Sequence, residues 1–265
     1  MTSPTALHST REGAVLVLSL DGPDTRNSIG PPIYDAVRSA VIEGGRDAAV
    51  RAIMLTGRND FFCSGGNLKN IRASAAQTMA EVSANTDKLN AMILAIRGCP
   101  KPVVAAVEGG AAGVGFSLAL ASDVIVASEG AKFVVAYVKV GLTPDGGVTH
   151  FLAEGLPRQL LSELCLTGAP IEAERLHSLG VVNDVVPAGE AFDAGLRLAG
   201  KLAAGATEAM GTIKATIAAA AHNDLATQLN LEAQGINQAR FGPEAAEGVD
   251  AFFEKRRPNF ARTRS

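Results

Sequence analysis

Cysteine and histidine are scarce in this chain. Three cysteines (Cys63, Cys99, Cys165) form no even or regularly spaced set, which excludes a disulfide framework. Four histidines (His8, His150, His177, His222) show no ligand-like spacing, so no metal site is expected. Long hydrophobic runs are missing too: no stretch of about 18 uncharged apolar residues reaches the length of a membrane span. The opening MTSPTALHSTRE has no basic segment followed by an apolar one, as a secretory leader would. A cytoplasmic location without a membrane partner is the expectation. Positive charge is not in excess either, because 24 Lys and Arg stand against 27 Asp and Glu, giving a net charge of −3. The basic residues are scattered except near the C-terminus, so there is no broad footprint for nucleic acid.

What is present is 265 residues, 47% of them hydrophobic, enough to bury a full core. Residues 14–20, AVLVLSL, form a short apolar, β-branched run before the turn-rich Asp21-Gly22-Pro23-Asp24, and read as strand then loop. Pro31–Glu43 places Ile33, Ala36, Val37, Ala40 and Val41 at helical spacing, and Val50–Leu55 reads as the next strand. The alternation continues with a helix over about Ser74–Ile96, a strand at Val103–Val107, a glycine-rich turn, a helix over Gly113–Ala121 and a strand at Val124–Ala127. Such alternation predicts an α/β layered fold. From Ala188 onward the chain is Ala-rich and almost strand-free, with breaks at Gly205 and at Gly242-Pro243. The expected organisation is an α/β core over 1–200 and a helical region over 201–265, joined without a linker.

Two glycine-rich segments carry chemical interest. In Phe61-Phe62-Cys63-Ser64-Gly65-Gly66-Asn67-Leu68 the paired glycines can turn backbone N–H groups outward, and an ordinary tight turn satisfies the same pattern. In the segment from Lys101 to Ala119, an apolar strand passes through Glu108-Gly109-Gly110-Ala111-Ala112-Gly113-Val114-Gly115 into a helix whose first turn offers unpaired donors. A close strand–helix packing turn is the alternative. No Gly-Lys-Ser/Thr ending supports a nucleotide-triphosphate loop.

Together with Ser122-Asp123, Ala131-Lys132-Phe133, Gly141-Leu142-Thr143-Pro144-Asp145-Gly146-Gly147, Leu166-Thr167-Gly168, Leu179–Asn183 and Glu247–Arg256, these segments resemble, in order and over nearly the whole chain, the crotonase (enoyl-CoA hydratase/isomerase) superfamily. The resemblance implies a spiral of ββα units with a helical C-terminal trimerisation region, hence a homotrimer or a dimer of trimers. It implies an acyl-CoA thioester substrate, with coenzyme A entering as part of that substrate and no separate cofactor. It also implies an oxyanion hole of two amides, Gly66 after Ser64-Gly65 and Val114 after Gly113. Family members usually carry glycine at the second position, but valine retains the required N–H.

Family hydratases use two glutamates, one to activate water and one to protonate carbon. Here the matching positions are Ser117 and Tyr137, neither a competent base near neutrality. Moving a double bond needs only one carboxylate, and Asp145 matches the position used by some Δ3,Δ2-enoyl-CoA isomerases and by related ring-type isomerases of aromatic-acid breakdown. Asp145 also reads as an Asx-turn or helix cap ahead of Gly146–Leu152. The same position holds the nucleophile of family aryl-CoA dehalogenases, whose water-activating histidine corresponds to Asn90 here, which leaves covalent hydrolysis open. A hydratase of non-standard route and an acyl-CoA-binding pseudoenzyme complete the alternatives. Arg26 follows the Asp24-Thr25 loop, where the resemblance implies a cationic contact to the coenzyme phosphates, and Lys255, in the basic run Lys255-Arg256-Arg257, could reach the 3′-phosphate of a coenzyme bound partly by a neighbouring subunit; both read equally as solvated surface charges.

Overall fold

The computed structural model describes residues 4–261. Strands β1 (Ala6–Glu12) and β2 (Val15–Asp21) form an antiparallel hairpin. The sequence gives no hint of β1, since its residues are mostly exposed and polar. Helix α1 (Pro31–Arg46) follows, running three residues beyond the expected end, and leads to β3 (Ala52–Gly57). That strand starts two residues later than expected, where Ala52 meets Val15 at the start of β2, and just before it the Arg51 guanidinium donates to the carbonyls of Ala203 (2.6 Å) and Gly205 (2.8 Å).

The single helix expected over Ser74–Ile96 is two, α2 (Leu68–Ser74) and α3 (Met79–Arg97). The break has a local cause. Thr78 Oγ1 accepts from the Glu81 amide while the Glu81 carboxylate accepts from the Thr78 amide, a reciprocal cap that starts a new helix there. Strand β4 (Val103–Val107) matches expectation, and the glycine-rich turn after it contains a further short strand, β5 (Gly110–Ala112). Then come α4 (Val114–Leu120), β6 (Val124–Ser128), β7 (Lys132–Val134), a 3-10 helix over Ala136–Val140, and α5 (Val148–Gly155). The rest comprises α6 (Arg158–Thr167), β8 (Pro170–Glu172), α7 (Ala173–Ser178), β9 (Asp184–Val186), α8 (Ala191–Ala203), α9 (Thr207–Ala220), α10 (Leu225–Arg240) and α11 (Pro243–Phe253).

Six strands form the main sheet in the order β1-β2-β3-β4-β6-β9, parallel from β2 onward, and β5-β7-β8 form a second sheet. Each of β3, β4 and β6 feeds a short extended piece of the second layer: Cys63, which bridges Ala111, then β5, then β7. That repetition is the spiral. The interior strands read as continuous apolar runs because both faces are covered. Ala52, Met54, Val104 and Ala106 pack with Ala199 and Ala203 of α8, while Ile53, Leu55, Val103 and Ala105 face the larger core with residues of α1, α3 and α4.

The boundary expected at 200/201 falls in the last turn of α8. Beyond it, α9 to α11 bury little of their own, and α10 buries nothing. Lys214 of α9 ties them to the core, donating to the Lys101 carbonyl (2.7 Å) and pairing with the Asp123 carboxylate (2.6 Å), while Glu244, only 6% exposed, ties α11 to α9 by accepting from the amides of Glu208 and Ala209 (both 3.1 Å). No described helix is long and apolar enough to cross a membrane.

Candidate active site

Two loops meet below the edge of the main sheet and hold the Ser64-Gly65-Gly66 turn. Asn27 is their pin. Fully buried and in the left-handed region (φ 58°), it accepts from the Gly22 amide (2.7 Å) and donates to the carbonyls of Arg58 (2.7 Å) and Phe61 (2.6 Å). Sequence reasoning passed it over, although asparagine tolerates that conformation better than most residues and directly follows the turn-rich 21–24 stretch. Ser64 fastens the turn itself: its hydroxyl donates to the Thr25 carbonyl (2.6 Å) and its amide to that of Arg26 (2.9 Å). Arg26 carries its guanidinium 5.4 Å from the centre of the Phe61 ring.

The turn then packs against the start of α4. The Ile29 amide donates to Gly65 O (2.8 Å) and the Ala112 amide to Cys63 O (3.0 Å). Gly65 has φ 93°, and a Cβ there would lie 2.5 Å from Ala112 O and 3.4 Å from Val114 N, so only glycine allows the approach. Gly113, with φ 52°, donates to Val134 O and precedes Val114, the first residue of α4. Among the described residues, neither the Gly66 nor the Val114 amide donates to a protein acceptor.

Above α4 sits the loop carrying Asp145. Gly146 (φ 61°) lets it close down, since a Cβ there would meet the Ser117 Cβ at 2.9 Å and Val114 Cγ2 at 3.3 Å. The Ser117 hydroxyl donates to the Asp145 carbonyl (3.0 Å), and the Tyr137 hydroxyl donates to the Asp145 carboxylate (2.7 Å). Asp145 does not cap α5: the N-cap is Gly147, with no side-chain bond. Although Asp145 is exposed at the rim, protein atoms crowd its carboxylate. The resulting loss of hydration raises its pKa, against the lowering effect of the Tyr137 hydrogen bond. Tyr137 is held as a neutral phenol, its pKa raised by burial and then by the Asp145 charge. Burial pushes the Cys63 thiol to about 12, which leaves it inert.

The structure thus brings together Ser64, Gly65, Gly66, Gly113, Val114, Ser117, Tyr137 and Asp145, with Arg26 adjoining through Ser64. Of the other expected residues, Asn90 is exposed on α3 and Lys255 is exposed just beyond α11. Of the basic run, Arg256 is engaged by Glu247 (2.6 and 3.0 Å) and Glu254 (2.5 Å). His150 approaches Glu154 (3.4 Å) and stacks on His222 with ring centres 6.1 Å apart.

The profile of the enoyl-CoA hydratase/isomerase family matches residues 10–263. The chain belongs to that family. Its spiral is the crotonase fold: an enoyl-CoA hydratase structure from Polaromonas sp. JS666 superposes with a TM-score of 0.94 at 43% identity, covering 96% of this chain and 98% of the other. Among relatives, the 1,2-epoxyphenylacetyl-CoA isomerase of Escherichia coli (strain K12) is 34% identical, over 94% of this chain and 95% of its own length. The 2,3-dehydroadipyl-CoA hydratase of the same organism is 29% identical, over 94% of this chain and 96% of its own. Family relatives of this chain therefore carry isomerase and hydratase names alike.

Proposed function

We propose that this family member is an enoyl-CoA isomerase in which Asp145 shuttles a proton between C2 and C4 of a 3-enoyl thioester. The observation that carries the reading is that the residues at both hydratase glutamate positions, Ser117 and Tyr137, are engaged with Asp145, leaving it the ionisable base of the cluster. Asp145 removes a C2 proton, and the electron pair moves into an enolate whose oxygen accepts from the Gly66 and Val114 amides. The double bond reforms between C2 and C3 as the same carboxyl returns the proton at C4. Tyr137 holds the carboxylate in place. The raised Asp145 pKa brings it closer to what a general base needs.

The isomerase relative acts, by its name, on a ring-bearing acyl-CoA, so linear and ring-type acyl groups both fall within the reading. In this reading Arg26, next to the Ser64 turn, meets the coenzyme phosphates. Exposed Ile213, Ile217, Leu229, Ile236 and Phe252 on α9 to α11 support assembly as a trimer or a dimer of trimers. The test is a panel of acyl-CoA thioesters resolved by mass and absorbance. A 3-enoyl-CoA should become the conjugated 2-enoyl isomer at unchanged mass, while crotonyl-CoA gains water slowly or not at all. Fast addition of water to crotonyl-CoA would overturn the reading in favour of a hydratase.

A further inference from the structure

In the mechanism above Val114 contributes only its backbone N–H, yet its side chain also meets the loop of the base. The isopropyl group is buried, and a Cβ built on Gly146 would stand 3.3 Å from Val114 Cγ2. The same Cβ would lie 2.9 Å from the Ser117 Cβ. Val114 and Ser117 are three residues apart on α4 and so share one face of it. Gly146 is where the loop rests on that face: residues 141–145 and Gly147 are exposed, and Gly146 is buried between them. The base therefore stands immediately before the seated residue of its own loop. Two hydrogen bonds draw the loop down, from the Ser117 hydroxyl to the Asp145 carbonyl (3.0 Å) and from the Tyr137 hydroxyl to the Asp145 carboxylate (2.7 Å). Hard contact with Val114 and Ser117 stops it. A β-branched side chain on a helix has one strongly preferred rotamer, which makes valine a stiff stop.

We propose that the Val114 side chain is a positioning element: by seating Gly146 it sets the distance from Asp145 to the thioester whose oxygen the Val114 amide holds. One residue then fixes both ends of the reacting unit, the oxygen through its backbone and the base through its side chain. The inference rests on the reading of Asp145 as the base and of the Gly66 and Val114 amides as the oxyanion hole. A misplacement of about 1 Å can cost about 10²-fold in rate, so the seat should govern turnover and leave binding alone.

The test uses Val114→Ala and Val114→Gly, which keep the amide and remove the stop in two steps. Steady-state kinetics on 3-hexenoyl-CoA would give kcat and KM. The absorbance of bound 2,4-hexadienoyl-CoA reads the oxyanion hole without the base, because this conjugated thioester absorbs at longer wavelength when amides polarise its carbonyl. In Val114→Ala kcat should fall about tenfold and in Val114→Gly about a hundredfold, with KM within about threefold of wild type. The red shift should be the same in all three proteins, which also shows that the variants fold. Turnover within twofold of wild type in both variants overturns the proposal. A red shift lost in step with turnover overturns it too, assigning the effect to the amide or to the fold. Failure of the underlying reading would instead show in wild type: no red shift removes the oxyanion hole, a red shift without isomerisation removes Asp145 as the base, and the seat falls with either.

Discussion

Helices α4 and α10 are opposites. All seven residues of α4 are buried, and Phe116 within it packs against Phe133 in a tilted pair, 5.0 Å between ring centres. All sixteen residues of α10 escape burial, and Leu225, Leu229 and Ile236 stand more than half exposed. One helix is specified by the chain's own interior. The other is an apolar surface that the single chain leaves uncovered, which a lone protomer would not be expected to keep. The difference separates what the protomer does for itself, placing Val114 and Ser117 under Asp145, from what assembly is proposed to supply.

The largest expected effect falls on the site that α4 supports. Asp145→Asn should lower isomerisation by about 10²–10⁴-fold, the usual cost of losing a general acid–base group, while acyl-CoA affinity is kept. In wild type, turnover should fall as pH drops through a value above the ordinary aspartate range, because only the ionised carboxylate is a base and lost hydration raises its pKa. Unchanged turnover in Asp145→Asn across a pH series would remove Asp145 from the chemistry.

Next in size is a matched pair that tests the contrast between the helices. Phe116→Ala should cost about 3–5 kcal/mol through a cavity in a closed core, at every protein concentration. Leu229→Glu should barely change the protomer's own stability, yet shift sedimentation toward smaller species at micromolar concentration. If Leu229→Glu melted the chain as Phe116→Ala does, α10 would belong to the protomer's interior after all.

The smallest effect concerns the folding cost of a poised base. The Asp145 carboxyl has a pKa above its ordinary 3.8, so the native state holds that proton more tightly than the unfolded chain. Stability attributable to this group therefore falls as pH rises from the unfolded value through the raised one, and stays lower at neutrality. Asp145→Asn should melt at or slightly above the wild-type temperature at pH 7, and the difference should vanish below about pH 4. A lower melting temperature at pH 7 would mean that the carboxylate stabilises the fold.

Legibility in the sequence followed the same division between closed and open surfaces. Strands β4 and β6 and helices α1 and α4 announced themselves because burial forces apolar runs and helical spacing. Strand β1 was silent, since an exposed edge strand needs no such pattern. Strands β5, β7 and β8, three residues each, are too short to show a period. The Thr78–Glu81 cap was readable as a T-x-x-E signal and went unread inside a long helical stretch. At the site, Asp145, Ser117 and Tyr137 were legible only through the ordered motif set, because their meeting spans loops far apart in the chain.

Glu244 gives the C-terminal helices a kinetic property. By tying α11 to the first amides of α9, its buried carboxylate fixes those two helices relative to each other within one protomer. Two surfaces shaped before they collide do not have to fold on contact. In the proposed assembly, association would then be docking of preformed faces, with a rate set by orientation and long-range charge rather than by the ordering of a loose tail.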